Sequence, residues 1–235
     1  MNDLSSSRLL AIETSGEACS VALGIGDELL VRHEHAPLGH AERLLPFVRA
    51  VLAEAGFQLA KLDAIVFGQG PGSFTSLRIG IGAVQGLAWG AGLPVVPVSS
   101  LQALASQPDS AGISEVQVAT DARMGEVFHC RYKIDAAGWP MALEAEQVSP
   151  PAHLVRQLES VEHSTLLGVG NGFERYPELE ELGQKLHRVD QAVVPSAATL
   201  LPLAVNWLRD NKPLAPIAAQ PVYVRNQVAL KISER

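Results

Sequence analysis

The sequence contains the same order of elements twice, and this duplication constrains the fold more than any other feature. A glycine turn, Gly68-Gln69-Gly70-Pro71-Gly72, follows an apolar run in the first half, and Gly168-Val169-Gly170-Asn171-Gly172 follows another in the second half. A Val-Pro pair that leads into a helical pattern also occurs twice, at Val96 and at Val194. Because both motifs reappear in the same order about 100 residues later, we expect an internally duplicated α/β unit.

Hydrophobic periodicity predicts the same elements in each half. The first half is predicted to form strands at 8–13, 18–24, 28–34, 63–67 and 95–98, and helices at 40–56, 73–90 and from Ser99 or Ser100 to Ala105. The second half is predicted to form strands at 115–121, 126–133, 141–148 and 165–168, and helices at 151–160, about 173–182 and 196–209. The middle helix of the second half is short and acidic, which predicts a reduced second copy.

These patterns predict two lobes with a boundary near residues 99–110. Residues 1–102 form the first lobe, and residues 103–235 form a reduced second lobe whose tail packs back on the first. A chain of 235 residues is long enough for two small lobes that each bury a core.

An uncharged stretch from Ile79 to Pro108 has the length of a transmembrane helix. It is interrupted by Gly90-Ala91-Gly92, Pro94 and Pro97, so it predicts a buried helix followed by a buried strand. Residues 1–5 show no basic or apolar export signal, and the two cysteines are too few for a disulfide framework. We therefore expect a cytoplasmic protein without a membrane segment.

The charge balance limits the partners of the chain. Lysine and arginine total 18 and acidic residues total 25, which gives a net charge of -7. An acidic surface repels phosphate backbones, so tight binding of nucleic acid by this chain alone is not expected.

The turn Gly68–Gly72 precedes a predicted helix, where backbone N–H groups can hold an anion. It lacks the Lys-Ser/Thr of a Walker A loop and the G-x-G-x-x-G spacing of a dinucleotide fold. The alternative is a tight strand-to-helix turn that lets Phe74 and the helix pack closely.

Polar residues end the first strand of each predicted lobe, at Glu13-Thr14-Ser15 and at Asp121-Ala122-Arg123. In duplicated α/β folds that bind ATP between lobes, an acidic residue here holds Mg²⁺ and a hydroxyl-bearing turn touches phosphate. The candidate phosphate- or nucleotide-facing residues are Glu13, Thr14, Ser15, Gly70, Gly72, Ser73, Asp121 and Arg123. The alternative is that Thr14 and Ser15 close a hairpin and that Asp121 pairs locally with Arg123.

Neither a metal site nor a nucleophilic site is predicted. Of His33, His35 and His40, only His40 begins a helix, whereas a helical metal site needs two histidines four residues apart. Ser73, Thr75 and Ser76 carry hydroxyls, but none lies in a Gly-x-Ser-x-Gly elbow. We therefore assign no catalytic residue and no metal ligand.

The two long helices of the first half carry more apolar surface than one lobe face needs. Glycines recur every four residues along the second of them, which gives a bare stripe where another backbone can approach closely. The partner-facing candidates are Leu45, Val48, Leu52, Gly82, Ala83, Gly86 and Gly90. The alternative is that both helices pack only on their own sheet. A protein with such a patch is also expected to form a homodimer when alone.

Four segments resemble the TsaB family of the tRNA threonylcarbamoyladenosine (t6A) machinery. They are Leu10-Ala11-Ile12-Glu13-Thr14-Ser15, the block from Gly68 to Gly82, the run from Asp121 to Val127, and Pro221-Val222-Tyr223-Val224-Arg225. The resemblance extends from about Arg8 to Arg225. Glu13 stands where the family usually has Asp, and Ser76 stands where it usually has Gly.

The resemblance implies a two-lobe actin-, hexokinase- and Hsp70-like (ASKHA) fold and a subunit that is not itself the catalyst. It implies pairing with the catalytic paralogue TsaD through first-lobe helices, with an ATPase, TsaE, completing the assembly. The complex transfers a threonylcarbamoyl group to adenosine 37 of ANN-decoding tRNAs, using ATP and threonylcarbamoyl-adenylate, and this chain alone binds no cofactor and meets tRNA only through the complex. The alternatives are an ATP-dependent phosphotransferase with Glu13, Thr14 and Asp121 around Mg²⁺ and, with less support, a peptidase.

Overall fold

A computed structural model describes residues 7–108 and 112–225, in which the chain forms two mixed β-sheets. The N-terminal residues 1–5 and part of the predicted boundary region, residues 109–110, lie outside the described residues.

The first sheet has the strand order β3-β2-β1-β4-β5. Its strands are β1 (Arg8–Glu13), β2 (Ala18–Ile25), β3 (Glu28–His35), β4 (Ala64–Gly68) and β5 (Val95–Val98). The first three strands form an antiparallel meander, and β4 and β5 are parallel to β1. These strands match the predicted ones to within one residue at each end.

The second sheet repeats this arrangement in the order β11-β10-β6-β7-β8, with β9 also pairing with β7. Its strands are β6 (Glu115–Asp121), β7 (Val127–Ile134), β8 (Pro140–Ala142), β9 (Gln147–Ser149), β10 (Leu166–Val169) and β11 (Arg188–Asp190). The β6–β7 pair is antiparallel and the β6–β10–β11 pairs are parallel, as in the first sheet. The predicted duplication is therefore confirmed at the level of topology.

The predicted strand at 141–148 is wrong, because two short strands occupy this region. The gap between them contains Glu146, whose carboxylate turns inward and accepts hydrogen bonds from Ser99 and from the hydroxyl of Tyr132. The short strand β11 was not predicted, because a half-exposed three-residue strand has no hydrophobic period.

The helices of the described residues agree with the predicted ones except in the middle of the second half. They are α1 (His40–Glu54), α2 (Phe74–Ala91), α3 (Ser100–Ala105), α4 (Pro151–Leu158), α5 (Gly172–Arg175), α6 (Pro177–Gly183) and α7 (Ala197–Trp207), with 3-10 helices at Leu59–Lys61 and Pro216–Ala218. The predicted helix at 173–182 is divided, because Tyr176 precedes Pro177 and is extended. None of these helices is long and apolar enough to cross a membrane.

Each sheet is covered by helices on both faces, and each half of the chain contributes one helix to the sheet of the other half. Helices α1 and α2 cover one face of the first sheet, and α7 packs on its other face. Helix α3 instead packs on the second sheet, whose other face is covered by α4, α5 and α6. The predicted boundary after residue 102 therefore falls within a helix of the second core, and the first core includes α7. The repeated sheets and their layers confirm the predicted two-lobe α/β fold class.

Candidate functional site: the cleft between the sheets and the face of the first lobe

A cavity of about 390 Å³ lies in the cleft between the two sheets. Its walls come from the β1–β2 turn, the start of α2, the β6–β7 turn and residues 222–225 near the end of the described chain. Five predicted phosphate-facing residues line it, namely Ser15, Gly72, Ser73, Asp121 and Arg123. The apolar part of the wall includes Phe74, Leu101, Leu104, Phe128 and Val193.

Glu13 does not line this cavity, and its role beside a phosphate or Mg²⁺ stays a prediction. Its side chain is fully buried and accepts hydrogen bonds from the N–H of Ser15 at 2.6 Å and from the hydroxyl of Ser100 at 2.8 Å. Burial raises the pKa of the Glu13 carboxyl. The carboxyl group lies directly against Gly68, where a Cβ would come within 2.6 Å of its carbon atom. Glu13 thus stabilises the glycine turn Gly68–Gly72 from its buried side.

Thr14 and Gly70 are also structural. The hydroxyl of Thr14 is buried and donates to the carbonyl of Ser76 at 2.9 Å, which joins β1 to the first turn of α2. Gly70 has φ +93, and a Cβ there would lie 2.9 Å from a methyl of Leu77. A tight strand-to-helix connection therefore explains why glycine is needed at positions 68 and 70. Gly72, in contrast, lines the cavity.

Asp121 faces the cleft, but its carboxylate is already engaged. It accepts a hydrogen bond from the hydroxyl of Tyr176 at 2.8 Å and lies 3.3 Å from the guanidinium of Arg175. The N–H of Arg123 donates to it at 2.9 Å, and the Arg123 side chain lies 3.7 Å away and 3.0 Å from Glu17. The local pairing of Asp121 with Arg123 is confirmed. This pairing and the contact with Glu17 join the two lobes across the mouth of the cleft.

The end of the described chain contributes residues that the sequence analysis did not assign to the site. Val222, Tyr223, Val224 and Arg225 line the cavity. In the sequence, only the family resemblance singles out this segment, because five residues of a connecting segment have no periodic pattern that would predict a helix or a strand.

The predicted partner surface lies on α1 and α2. At Gly82, Gly86 and Gly90 an added Cβ would meet nothing within 4 Å, so these helical glycines are not required by the packing of this chain. Leu45 is 44% exposed on α1, and Trp89, which the sequence analysis missed, is 74% exposed on α2. The three glycines and the two apolar side chains together form the first-lobe face.

Val48 is not part of that face. It is 3% exposed and packs in the core between α1 and the first sheet, so its prediction as a partner-facing residue is wrong for the surface of this chain. The spacing that placed it beside Leu45 and Leu52 also fits the buried face of a helix. Leu52 and Ala83 are only partly buried, at the edge of the same core.

The histidines are not arranged for metal binding. His40 begins α1 with its ring 2% exposed, and burial lowers its pKa, which favours the neutral imidazole. His33 and His35 lie on the exposed β3 edge strand. Within residues 7–108 and 112–225, no group of three or more His, Cys, Asp or Glu side chains is placed to hold a metal ion.

The chain is similar to proteins of t6A biosynthesis over nearly its whole length. A family model described as TsaD, tRNA N6-adenosine threonylcarbamoyltransferase, matches residues 31–213. The tRNA threonylcarbamoyladenosine biosynthesis protein TsaB of Escherichia coli is 38% identical over 225 residues, which cover 95% of this chain and 97% of that protein. The TsaB protein of Haemophilus influenzae is also 38% identical, over 233 residues and 95% of each chain.

Two solved structures are also similar to this chain over nearly its whole length. YeaZ from Pseudomonas aeruginosa is 40% identical and superposes with a TM-score of 0.83, covering 92% of this chain and 99% of that chain. A second structure from that organism, described as an uncharacterized protein with similarity to peptidase YEAZ, is 39% identical with a TM-score of 0.81 and covers 93% of this chain and 100% of that chain. Because two TsaB proteins are 38% identical to it over nearly their whole length and its own, the chain belongs to the TsaB family of tRNA threonylcarbamoyladenosine biosynthesis proteins.

Proposed function

We propose that this chain is a non-catalytic, activating subunit of the complex that transfers a threonylcarbamoyl group to adenosine 37 of ANN-decoding tRNAs. The names of its relatives support a role in t6A formation. The first-lobe face supports the mode of action, which is association with a catalytic partner.

The observation that carries this proposal is the open glycine stripe of α2. A glycine inside a helix costs roughly 0.8–1 kcal/mol relative to alanine. At Gly82, Gly86 and Gly90 nothing within the chain occupies the space of a Cβ, so its own packing does not explain this cost. A stripe of this kind lets a second helix approach closely, and the exposed Trp89 on α2 and Leu45 on α1 supply apolar contact area. The occupant proposed for this face is a helix of a TsaD-like paralogue, or a second copy of this chain when the partner is absent.

The polar groups of the cleft favour an accessory role over catalysis. Glu13 is buried under the glycine turn and Asp121 is engaged by Tyr176, Arg175 and Arg123. We therefore propose that the chain binds no cofactor by itself. From the family resemblance, we also propose that a TsaE-like ATPase completes the assembly.

The net charge of -7 supports contact with tRNA through the partners rather than through this chain. The cytoplasm is the compartment proposed for such an assembly.

The test is a reconstituted tRNA modification assay with the catalytic paralogue and the ATPase, run with and without this chain. We expect t6A formation to fall to background when the chain is omitted and to return when it is added. Equal t6A formation in both reactions would contradict the proposal. A reaction that the chain carries out alone would also contradict it.

The cavity between the sheets favours one second candidate, an ATP-dependent phosphotransferase of the same fold. That candidate requires the isolated chain to bind Mg-ATP in the cleft. Calorimetry separates the two, because the accessory role predicts no heat of binding with Mg-ATP and the phosphotransferase role predicts binding in the micromolar range.

A further inference from the structure

The segment Pro221–Arg225 makes a set of contacts with the first lobe at one side of the cleft. The N–H of Val222 donates to the carbonyl of Gln69, in the glycine turn, at 2.8 Å. The ring of Tyr223 lies 5.5 Å from the ring of Phe74, and its hydroxyl accepts a hydrogen bond from Arg78 at 3.0 Å. The guanidinium of Arg78 also lies 3.8 Å from the centre of the Phe74 ring, so the aromatic pair and the cation form one stack.

Arg225 makes a separate set of contacts with the second lobe. Its guanidinium donates to the carbonyl of Ala122 at 3.2 Å and pairs with the carboxylate of Glu126. It also lies 6.0 Å from the centre of the Phe128 ring and 3.7 Å from the sulfur of Met124. The side chain of Arg225 is only 19% exposed, which makes this a stronger contact than a solvated surface ion pair.

The β6–β7 turn has a backbone conformation that suits this contact. Arg123 and Met124 have φ of +62 and +58, a region that residues with a Cβ rarely adopt, and Gly125 follows with φ +76. Such a conformation is kept only where the surroundings stabilise it. The carbonyls of Ala122 and Arg123 both accept from the Arg225 guanidinium, at 3.2 and 3.5 Å. The turn and the arginine thus stabilise each other.

We propose that the chain's own segment Pro221–Arg225 is bound along one side of the cleft between the sheets and connects the two lobes. Tyr223 is the anchor in the first lobe and Arg225 is the anchor in the second. The segment acts as a strap that fixes the two lobes relative to each other and forms one wall of the cavity. This proposal rests on contacts within the chain and stands whether or not the proposed function is correct.

The test is hydrogen exchange measured by mass spectrometry on the full-length chain carrying Arg225→Ala. The two readouts are peptides covering residues 69–76 of the first lobe and residues 120–127 of the second. Because the strap joins the two, we expect exchange to become about tenfold faster in both peptides, although Arg225 touches only the second lobe. The variant Tyr223→Ala, which removes the anchor in the first lobe, is expected to give the same pattern.

Arg156→Ala removes an exposed arginine from α4 and serves as the matched control, with no change expected in either peptide. Arg225→Lys keeps the positive charge but not the forked hydrogen bonds, and is expected to give an intermediate increase. Faster exchange confined to residues 120–127 in Arg225→Ala would overturn the proposal, because the arginine would then be a local contact of one lobe. Protection of both peptides that depends on protein concentration would also overturn it, because the occupant would then be the tail of a second copy.

Discussion

The two lobes share their glycine turns but differ in what those turns are built on. Gly70 and Gly170 have φ of +93 and +106, a conformation that favours glycine at both positions. A Cβ at Gly72 would lie within 3.0 Å of the backbone of Ser15, just after β1, and a Cβ at Gly172 would lie within 3.0 Å of the backbone of Ala119, in β6. The geometry that joins a strand to the following helix has therefore been kept in both copies.

The first position of each turn shows the difference. Gly68 faces the buried carboxyl of Glu13, whereas Gly168 faces the side-chain ends of Leu186 and Phe173. The first lobe supports its turn with a buried polar group, and the second lobe supports it with an apolar core. The following helices differ as well, since α2 has 18 residues and an open face, while α5 and α6 have 4 and 7. The surface that we propose for a partner helix therefore lies on the first lobe.

The strongest test of this difference is alanine at the two equivalent glycines. Gly68→Ala would force a methyl into the Glu13 carboxyl, which Ser15 and Ser100 hold in place, and we expect a loss of about 3 kcal/mol or more in unfolding free energy. Gly168→Ala would meet movable side-chain ends at 3.0 Å, and we expect a loss of about 1 kcal/mol. Urea unfolding of both variants measures the two values. Equal losses of unfolding free energy in the two variants would contradict the difference between the polar contact at Gly68 and the apolar contact at Gly168.

The second prediction concerns His129, a buried histidine of β7, whereas the strand β2 at the same place in the order of the first sheet contains no histidine. Burial, together with His153, lowers the pKa of His129 to about 4. Because the unfolded chain takes up a proton near pH 6.5 and the folded chain does not, this group's contribution to stability is complete above pH 6.5. It is lost as the pH falls towards 4.

Between pH 7 and pH 5 we expect the wild-type chain to lose about 2 kcal/mol through this residue. His129→Ala should remove that loss. Its absolute stability is also expected to change, because the hydrogen bond to Ser149 is lost, so the pH slope of the unfolding free energy is the readout. A variant with an unchanged slope would show that His129 is not the source of the pH dependence.

The smallest predicted effect is a gain in stability. Gly82→Ala on α2 adds a methyl where nothing lies within 4 Å, so we expect unfolding to become harder by roughly 0.8–1 kcal/mol. Gly183→Ala on α6 would place its Cβ 3.1 Å from a methyl of Val189, so the same change there is expected to give no gain. Thermal unfolding compares the two. A loss of stability in Gly82→Ala would mean that the glycine has a role within the chain.

Much of the fold could be predicted from the sequence, because local patterns of apolar residues, glycine and proline indicate strands, helices and turns. The apolar runs of β1 and β2 and the glycine turns are sufficient to predict the duplicated sheets. The packing of α3 on the second sheet and of α7 on the first could not be predicted. An apolar helix face indicates that a helix packs on a sheet, but it does not indicate which sheet.

The site was less predictable, because it depends on side-chain direction. Glu13 ends a strand, and only the three-dimensional position of Ser100 shows that its carboxylate turns inward. Val48 has the spacing of a helix face, but that face is the buried one. Ser15, Gly72, Ser73, Asp121 and Arg123 line the cleft, because the ends of equivalent strands meet there, and their role towards a phosphate stays a prediction.

The central claim is that the open stripe of α2 receives a helix of a partner, and Gly86→Leu tests it most directly. A Cβ at this exposed position meets nothing within 4 Å in the chain, so we expect the fold to be unaffected, but the leucine side chain would hold a second helix away. Ala152→Leu on the exposed face of α4 adds the same side chain to the second lobe as a control. On a sizing column with the catalytic paralogue, we expect the wild-type chain and Ala152→Leu to elute in the complex and Gly86→Leu to elute separately. Undiminished complex formation by a folded Gly86→Leu chain would contradict the account.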